Sequence, residues 1–224
     1  MKTPKNIILN SFLIIIITLF VLVASDIVAV ELFAKPRLHQ VFQLLFSFVL
    51  ILIFSKGKIS NYGFKLPNKL SYIKIILWII TIQILISIPF LFYDLEGGRH
   101  PVSDLKFGEI VLSAWILAPF AEETIFRGMA QSFMYPLKHI ELRVKGANFS
   151  FPVIFTAFLF SIAHLPLLFR GMDIFLGITT LFGAFSFGII FGYVREKSGS
   201  IVPAILCHML ANIIATFIDY IPIK

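Results

Sequence analysis

Three ionisable side chains, Glu122, Glu123 and Arg127, fall within six residues of an otherwise apolar stretch, Ala121-Glu122-Glu123-Thr124-Ile125-Phe126-Arg127-Gly128. A charge at the centre of a bilayer costs about 2.5–3.5 kcal/mol on insertion scales, so such groups must face protein or enclosed water, and they usually mark chemistry. Helical spacing divides their work. Glu123 and Arg127 stand four apart with the acid toward the N-terminus, the favourable order for an ion pair. Glu122 is rotated by about 100° from its neighbour and is left to meet groups from other helices, where a carboxylate can serve as a general base. A second use of the same residues is structural: both carboxylates bind Arg127 or line a proton path.

Two further polar constellations follow in later apolar runs. Phe160-Ser161-Ile162-Ala163-His164 brings one imidazole near the end of its run, with Pro166 beyond it to kink or stop a helix. Cys207-His208-Met209-Leu210-Ala211-Asn212 sets His208 and Asn212 four apart, hence on one helical face. A carboxylate and an imidazole can take and return a proton, while an amide and an imidazole N–H can stabilise developing negative charge. Taken alone, His208 and Asn212 also suit interhelical hydrogen bonding, which contributes roughly 0.6 kcal/mol per bond in membranes.

The elements that must position these groups are membrane helices. Of the 224 residues, 58% are hydrophobic and 14% charged, mean hydropathy is +0.95, and several apolar runs reach spanning length. The expected fold is all-α, a polytopic transmembrane bundle of about seven helices, with spans near residues 7–25, 38–55, 72–92, 108–135, 150–169, 173–194 and 200–219. Lys2 and Lys5, then Lys56, Lys58, Lys65, Lys69 and Lys74, then Lys138, Arg143 and Lys145, then Arg195 and Lys197 fall in alternate connections. The intervening ones carry only Lys35, Arg37, Arg99, Lys106 and Arg170, among Asp26, Glu31, Asp94, Glu96, Asp104 and Asp173. The positive-inside rule therefore puts the N-terminus in the cytoplasm. A basic inner face drawn to anionic lipid accounts for the net charge of +7, and no nucleic-acid partner is implied. The apolar run after Lys2 and Lys5 exceeds a signal-peptide core and lacks a small-x-small site, so it reads as an anchor. Cys207 is the single cysteine, which excludes internal disulfides and cysteine-based zinc sites and leaves a packing thiol.

The three polar motifs together resemble the CPBP, or ABI, family of intramembrane glutamate proteases, which includes the type II CAAX prenyl endopeptidases. Glu122 to Arg127 is similar to its EExxxR motif, Phe160 to His164 to its FxxxH motif, and His208 to Asn212 to its HxxxN motif. The similarity runs over roughly residues 108–215. It divides one integrated membrane domain into residues 1–107, helices without a recognised motif, and 108–219, the catalytic core. The resemblance implies hydrolysis of a membrane-associated peptide or protein, with Glu122 and His164 activating water and His208 and Asn212 forming the oxyanion hole. Glu123 and Arg127 would be the supporting ion pair. The family's chemistry is read as metal-independent, so no cofactor is expected, although Glu122, His164 and His208 could supply three zinc ligands. An Ile-, Phe- and Lys-rich composition suits an AT-rich bacterial genome and hence a bacterial cell membrane.

Other classes have their own signals. Tyr93-Asp94 is half of an aspartyl intramembrane protease site but lacks a G-x-G-D partner, and Ser186 is not in a rhomboid G-x-S-G setting. Ala184, Gly188 and Gly192 recur every four residues, a stripe that admits a close helix neighbour. A nonenzymatic partner-binding protein, such as a bacteriocin-immunity or signalling regulator, would keep the motifs as scaffold, and a transporter would use them as a proton relay. One geometrical demand is sharp. Along straight helices Glu122 lies about 24 Å from Lys138, His208 about 16 Å from Lys197 and His164 up to about 28 Å from Lys145, so a shared site needs a kink near Pro119 or Pro166, tilt, or a late start to the fifth helix.

Overall fold

The structure is a computed structural model that describes residues 4–33, 38–68, 72–88, 105–144, 147–169 and 172–219. It is a helical bundle. Helices α1 (Pro4–Ile27, continued by a π-helical turn, Val28–Leu32), α2 (His39–Ser55) and α3 (Ile73–Ser87) precede α4, a continuous helical run over 107–133. Then come α5 (Phe151–Ile162), α6 (Ile174–Ser198) and α7 (Val202–Asp219). Three stretches, Ile8–Leu32, Phe151–Phe169 and Ile174–Ser198, are long and apolar enough to cross a membrane, and His39–Ser55, Ile73–Ser87 and Val202–Ile218 are shorter apolar helices. Residues 89–92 of the expected third span, the Tyr93-Asp94 pair, and Lys2, Lys35, Arg37, Lys69, Glu96, Arg99, Asp104, Lys145 and Arg170 lie outside the described residues.

Local chemistry explains the ends. Lys56 and Gly57 leave α2 at positive φ, 50° and 81°, and Gly199 ends α6 at φ 72°, each closing the last turn in the left-handed region. At the start of α6 the Asp173 carboxylate accepts from the backbone N–H of Phe175 and Leu176, a side-chain cap for otherwise orphaned donors. The connection before α5 holds an element that hydropathy did not announce. Strands β1 (Glu141–Val144) and β2 (Ala147–Ser150) pair antiparallel, with Glu141 opposite Ser150 and Val144 opposite Ala147. The fifth span is interrupted within its length: α5 stops at Ile162, His164 sits in the following turn, and Pro166 opens a separate helical turn, Pro166–Phe169.

Helix α4 lies at the centre, touching α2, α5, α6 and α7. It is wound unevenly, with π-helical segments over Val111–Leu117 and Thr124–Ala130 on either side of Ala118–Glu123. Pro119 has no N–H to give the preceding turn, and a π-helical stretch is one way a helix absorbs that loss. The predicted glycine stripe does bring α6 close to α5: a Cβ on Gly188 would stand 2.8 Å from the Ala157 Cα, and one on Gly192 3.2 Å from Val153 Cγ1.

Three basic connections gather at one end of the bundle. Asn68 N–H donates to the Ser198 carbonyl, Ile201 N–H to the Gly63 carbonyl, and the Ser200 hydroxyl to the Lys65 carbonyl. Ser150 at the end of β2 donates to Glu196. Residues 63–68, Ser150 and residues 196–201 of these connections therefore lie together.

Gly188→Ala should cost about 1–3 kcal/mol, because the new methyl meets backbone rather than a side chain that can swing away. Gly108→Ala, where nothing lies within 4 Å of the added Cβ, should be neutral or slightly stabilising. Unfolding titrations in mixed micelles measure both.

Candidate active site

Glu123 and Arg127 are both 0% exposed, and Arg127 Nε stands 3.3 Å from Glu123 Oε2. The contact is an ion pair without hydrogen-bond alignment. Arg127 gains the rest of its partners from elsewhere: its Nη2 donates to the Gly188 carbonyl at 3.0 Å, and its Cζ lies 4.7, 5.6 and 5.9 Å from the ring centroids of Phe160, Phe191 and Phe126. A desolvated guanidinium over aromatic faces gains about 2 kcal/mol per good contact. Four residues on, Gln131 Nε2 donates to the Gly192 carbonyl, also at 3.0 Å. The close approach at Gly188 and Gly192 therefore also presents two carbonyls to α4.

The other Glu123 oxygen faces α7. His208 Nδ1 lies 2.9 Å from Glu123 Oε1, and His208 Nε2 lies 3.9 Å from Glu122 Oε2. One imidazole thus spans two adjacent carboxylates, using opposite edges of its ring to reach groups that helical geometry points apart. His208 is stacked on Phe191, centroids 4.9 Å apart at 20°, and meets the edge of Phe160 at 5.7 Å and 90°. Phe160 and Phe191 consequently wall both Arg127 and His208. Glu122 keeps 22% of its side chain exposed, against 0% for Glu123, so Glu122 is the carboxylate open to an incoming molecule.

His164 packs on the same wall, its ring 4.9 Å from that of Phe160. Its Nδ1 lies 2.8 Å from the Phe160 carbonyl. A carbonyl only accepts, so Nδ1 carries the proton and Nε2 of the neutral ring keeps a free lone pair. Asn212, half-buried, donates one amide N–H to the Ala114 carbonyl at 2.8 Å. One helical turn on, Trp115 Nε1 donates to Thr216 Oγ1, whose hydroxyl donates to the Asn212 carbonyl. These bonds lock α7 against the first half of α4.

The helices depart from straight, parallel rods in three ways. The hairpin consumes residues 141–150 so that α5 starts at Phe151, α6 and α7 turn within Gly199–Ile201, and α4 is rewound around Pro119. Glu122, Glu123 and His208 are in direct juxtaposition, and Phe160 joins His208 to His164. Among the described residues there is no group of three or more His, Cys, Asp or Glu side chains that could hold a metal ion. Ser186 spends its hydroxyl on the Phe182 carbonyl of its own helix. Cys207 is buried and unpaired by any disulfide. Gln131 escaped the motif reading; its signal was the match between Arg127/Gln131 and Gly188/Gly192, each pair four apart. Phe191 had none.

Residues 106–214 match the model of the Rce1-like family, type II CAAX prenyl endopeptidase Rce1-like. The match takes in Glu122, Glu123, Arg127, His164, His208 and Asn212. No curated protein and no solved structure matches the chain.

Removing one partner of a buried ion pair costs about 3–5 kcal/mol. Arg127→Met should fall in that range, and the Glu123→Gln/Arg127→Met double variant should lose less than the two single losses added together. A double-mutant cycle by micellar unfolding measures the coupling.

Proposed function

The chain belongs, through residues 106–214, to the Rce1-like family of type II CAAX prenyl endopeptidases, and on that premise we propose an intramembrane endopeptidase that cuts a membrane-associated peptide or protein. The reading is carried by one observation, the convergence of Glu122 and Glu123 on the His208 ring inside an apolar wall. Buried carboxylates and imidazoles at such spacing can hold and move protons where bulk water cannot.

In this reading Glu122 and the His164 Nε2 lone pair orient a water and take its proton as its oxygen attacks the scissile carbonyl carbon. The same proton then passes to the leaving amine as the C–N bond breaks. His208 Nε2 and the second N–H of Asn212, the one not given to Ala114, hold the oxyanion. With Nδ1 donating to Glu123, His208 donates from Nε2 only when its ring carries both protons, and Glu122 and Glu123 together then balance the charges of His208 and Arg127. Arg127 in turn fixes Glu123. Proton transfer by these groups needs no resident metal, so turnover should survive a strong chelator in a detergent-controlled assay. In this reading the protein lies in a bacterial cell membrane, with the basic end of the bundle and the N-terminus in the cytoplasm.

The decisive comparison is wild type against Glu122→Gln at equal membrane abundance, in cells lacking the native gene, by profiling new peptide termini in the membrane fraction. Termini that form only with wild type support glutamate-dependent proteolysis and identify substrates for purified assay. If none form and both versions rescue the deletion phenotype, the protein acts by binding a partner and the proteolytic reading falls. With a substrate in hand, Asn212→Ala should lower kcat by about 10²–10³ while leaving a measurable rate, the usual effect of losing one oxyanion donor.

A further inference from the structure

An open-sided apolar cleft of about 430 Å³ runs between α3 and α6, on the opposite side of α6 from the candidate active site. Trp78 and Ile82 of α3, Phe182, Ser186 and Ile189 of α6, and Phe149 of β2 form its walls. Its volume lies within the range of small-molecule pockets, about 300–1,000 Å³. One end of the cleft is marked by aromatic rings: Trp78 lies 6.3 Å from Tyr193, and Phe149 lies 5.6 Å from Tyr193. One turn outward from those rings stand two exposed lysines, Lys74 before Trp78 on α3 and Lys197 after Tyr193 on α6.

The two lysines are at the same end of the bundle. The Asn68–Ser198 backbone bond joins the approach to α3 to the end of α6, so the start of one helix and the finish of the other share a level. Lys197 Nζ rests 5.2 Å from the Tyr193 ring, and the neighbouring Glu196 is turned to Ser150. An aromatic girdle with lysines just beyond it is the arrangement that sits at the headgroup layer, with the apolar walls below it at acyl-chain depth.

We propose that this cleft is a binding site for one anionic glycerophospholipid, its acyl chain between α3 and α6 and its phosphate on Lys74 and Lys197. Charge complementarity selects the occupant: a zwitterionic lipid fills the apolar walls equally well but gains less from two ammonium groups. The bound chain is a packing piece between α3, which lies outside the family-matched residues, and α6. Ser186 and Ile189 face the cleft, while Gly188 and Phe191 of the same helix face Arg127 and His208. The site stands independently of the proteolytic reading.

Trp78 reports on the cleft directly. The chain has two tryptophans, so in the full-length Trp115→Phe variant, reconstituted in nanodiscs, Trp78 fluorescence can be quenched by lipids brominated on the acyl chain. Brominated phosphatidylglycerol should compete for the site at least about fivefold better than brominated phosphatidylcholine, the selectivity one lysine near a headgroup supplies. The Lys74→Gln/Lys197→Gln double variant should lose the preference, and Ser186→Leu, which fills the cleft, should lose the tight quenching phase with both lipids. As a check that does not depend on Trp115, wild type purified in mild detergent should retain phosphatidylglycerol by mass spectrometry, and Ser186→Leu should not. Equal quenching by the two lipids, or a preference that persists in the double-lysine variant, overturns the proposal and leaves only ordinary boundary lipid.

Discussion

The charge of Arg127 is the constraint around which the molecule is arranged. A guanidinium with no solvent exposure must find an anion, carbonyls and polarisable faces within its own reach, and each comes from a different place. Glu123 supplies the anion from the preceding turn of α4, α6 supplies the Gly188 carbonyl, and Phe126, Phe160 and Phe191 supply the faces. The carbonyl is accessible because Gly188 lacks a side chain, and the same lack lets Ala157 of α5 press against α6. One buried cation therefore determines where α4, α5 and α6 meet. Such a pair is weak evidence of stability in itself, because desolvation of both charges offsets much of their attraction. Its value lies in fixing Glu123, whose second oxygen fixes His208.

A helix of regular pitch would have been a poor carrier for these residues. Two π-helical segments in α4 flank the glutamates, and π-bulges recur at functional sites because the extra residue re-aims neighbouring side chains. Pro119 gives a local cause for the first. The N-terminal helices brace this hub from outside: Ile14, Val21 and Ile51 are buried in one cluster with Ile125, Phe126 and Met129. Helices α1 and α2 of the motif-free half are thus packed directly on α4 of the motif-bearing half.

The division of exposure between the two glutamates has chemical content. Adjacent carboxylates in an apolar setting would repel if used alike. Here Glu123 is sealed between a guanidinium and an imidazole, and Glu122 remains partly open beside the same imidazole. A sealed acid and a partly open one are thereby obtained from neighbouring positions on one helix. His164 and His208 are distinguished in the same way: one ring is tied by Nδ1 to a carbonyl and the other by Nδ1 to a carboxylate, which leaves different chemistry to their Nε2 atoms.

The sequence by itself determined the membrane helices, because twenty-residue apolar runs have few other stable uses, and it determined the Glu123–Arg127 pair, because their geometry is local to one helix. It also held the three motifs that carry the family resemblance. Tertiary structure decided what no periodicity encodes. The β1–β2 pairing depends on cross-strand contacts in a stretch of ordinary hydropathy, and the level at which Glu122 and Glu123 meet His208 depends on how α4 winds past Pro119. The partners of Arg127, Gln131 and Asn212 are carbonyls of Gly188, Gly192 and Ala114. Backbone acceptors are present at every residue, so composition cannot say which one will be used, and only packing selects it.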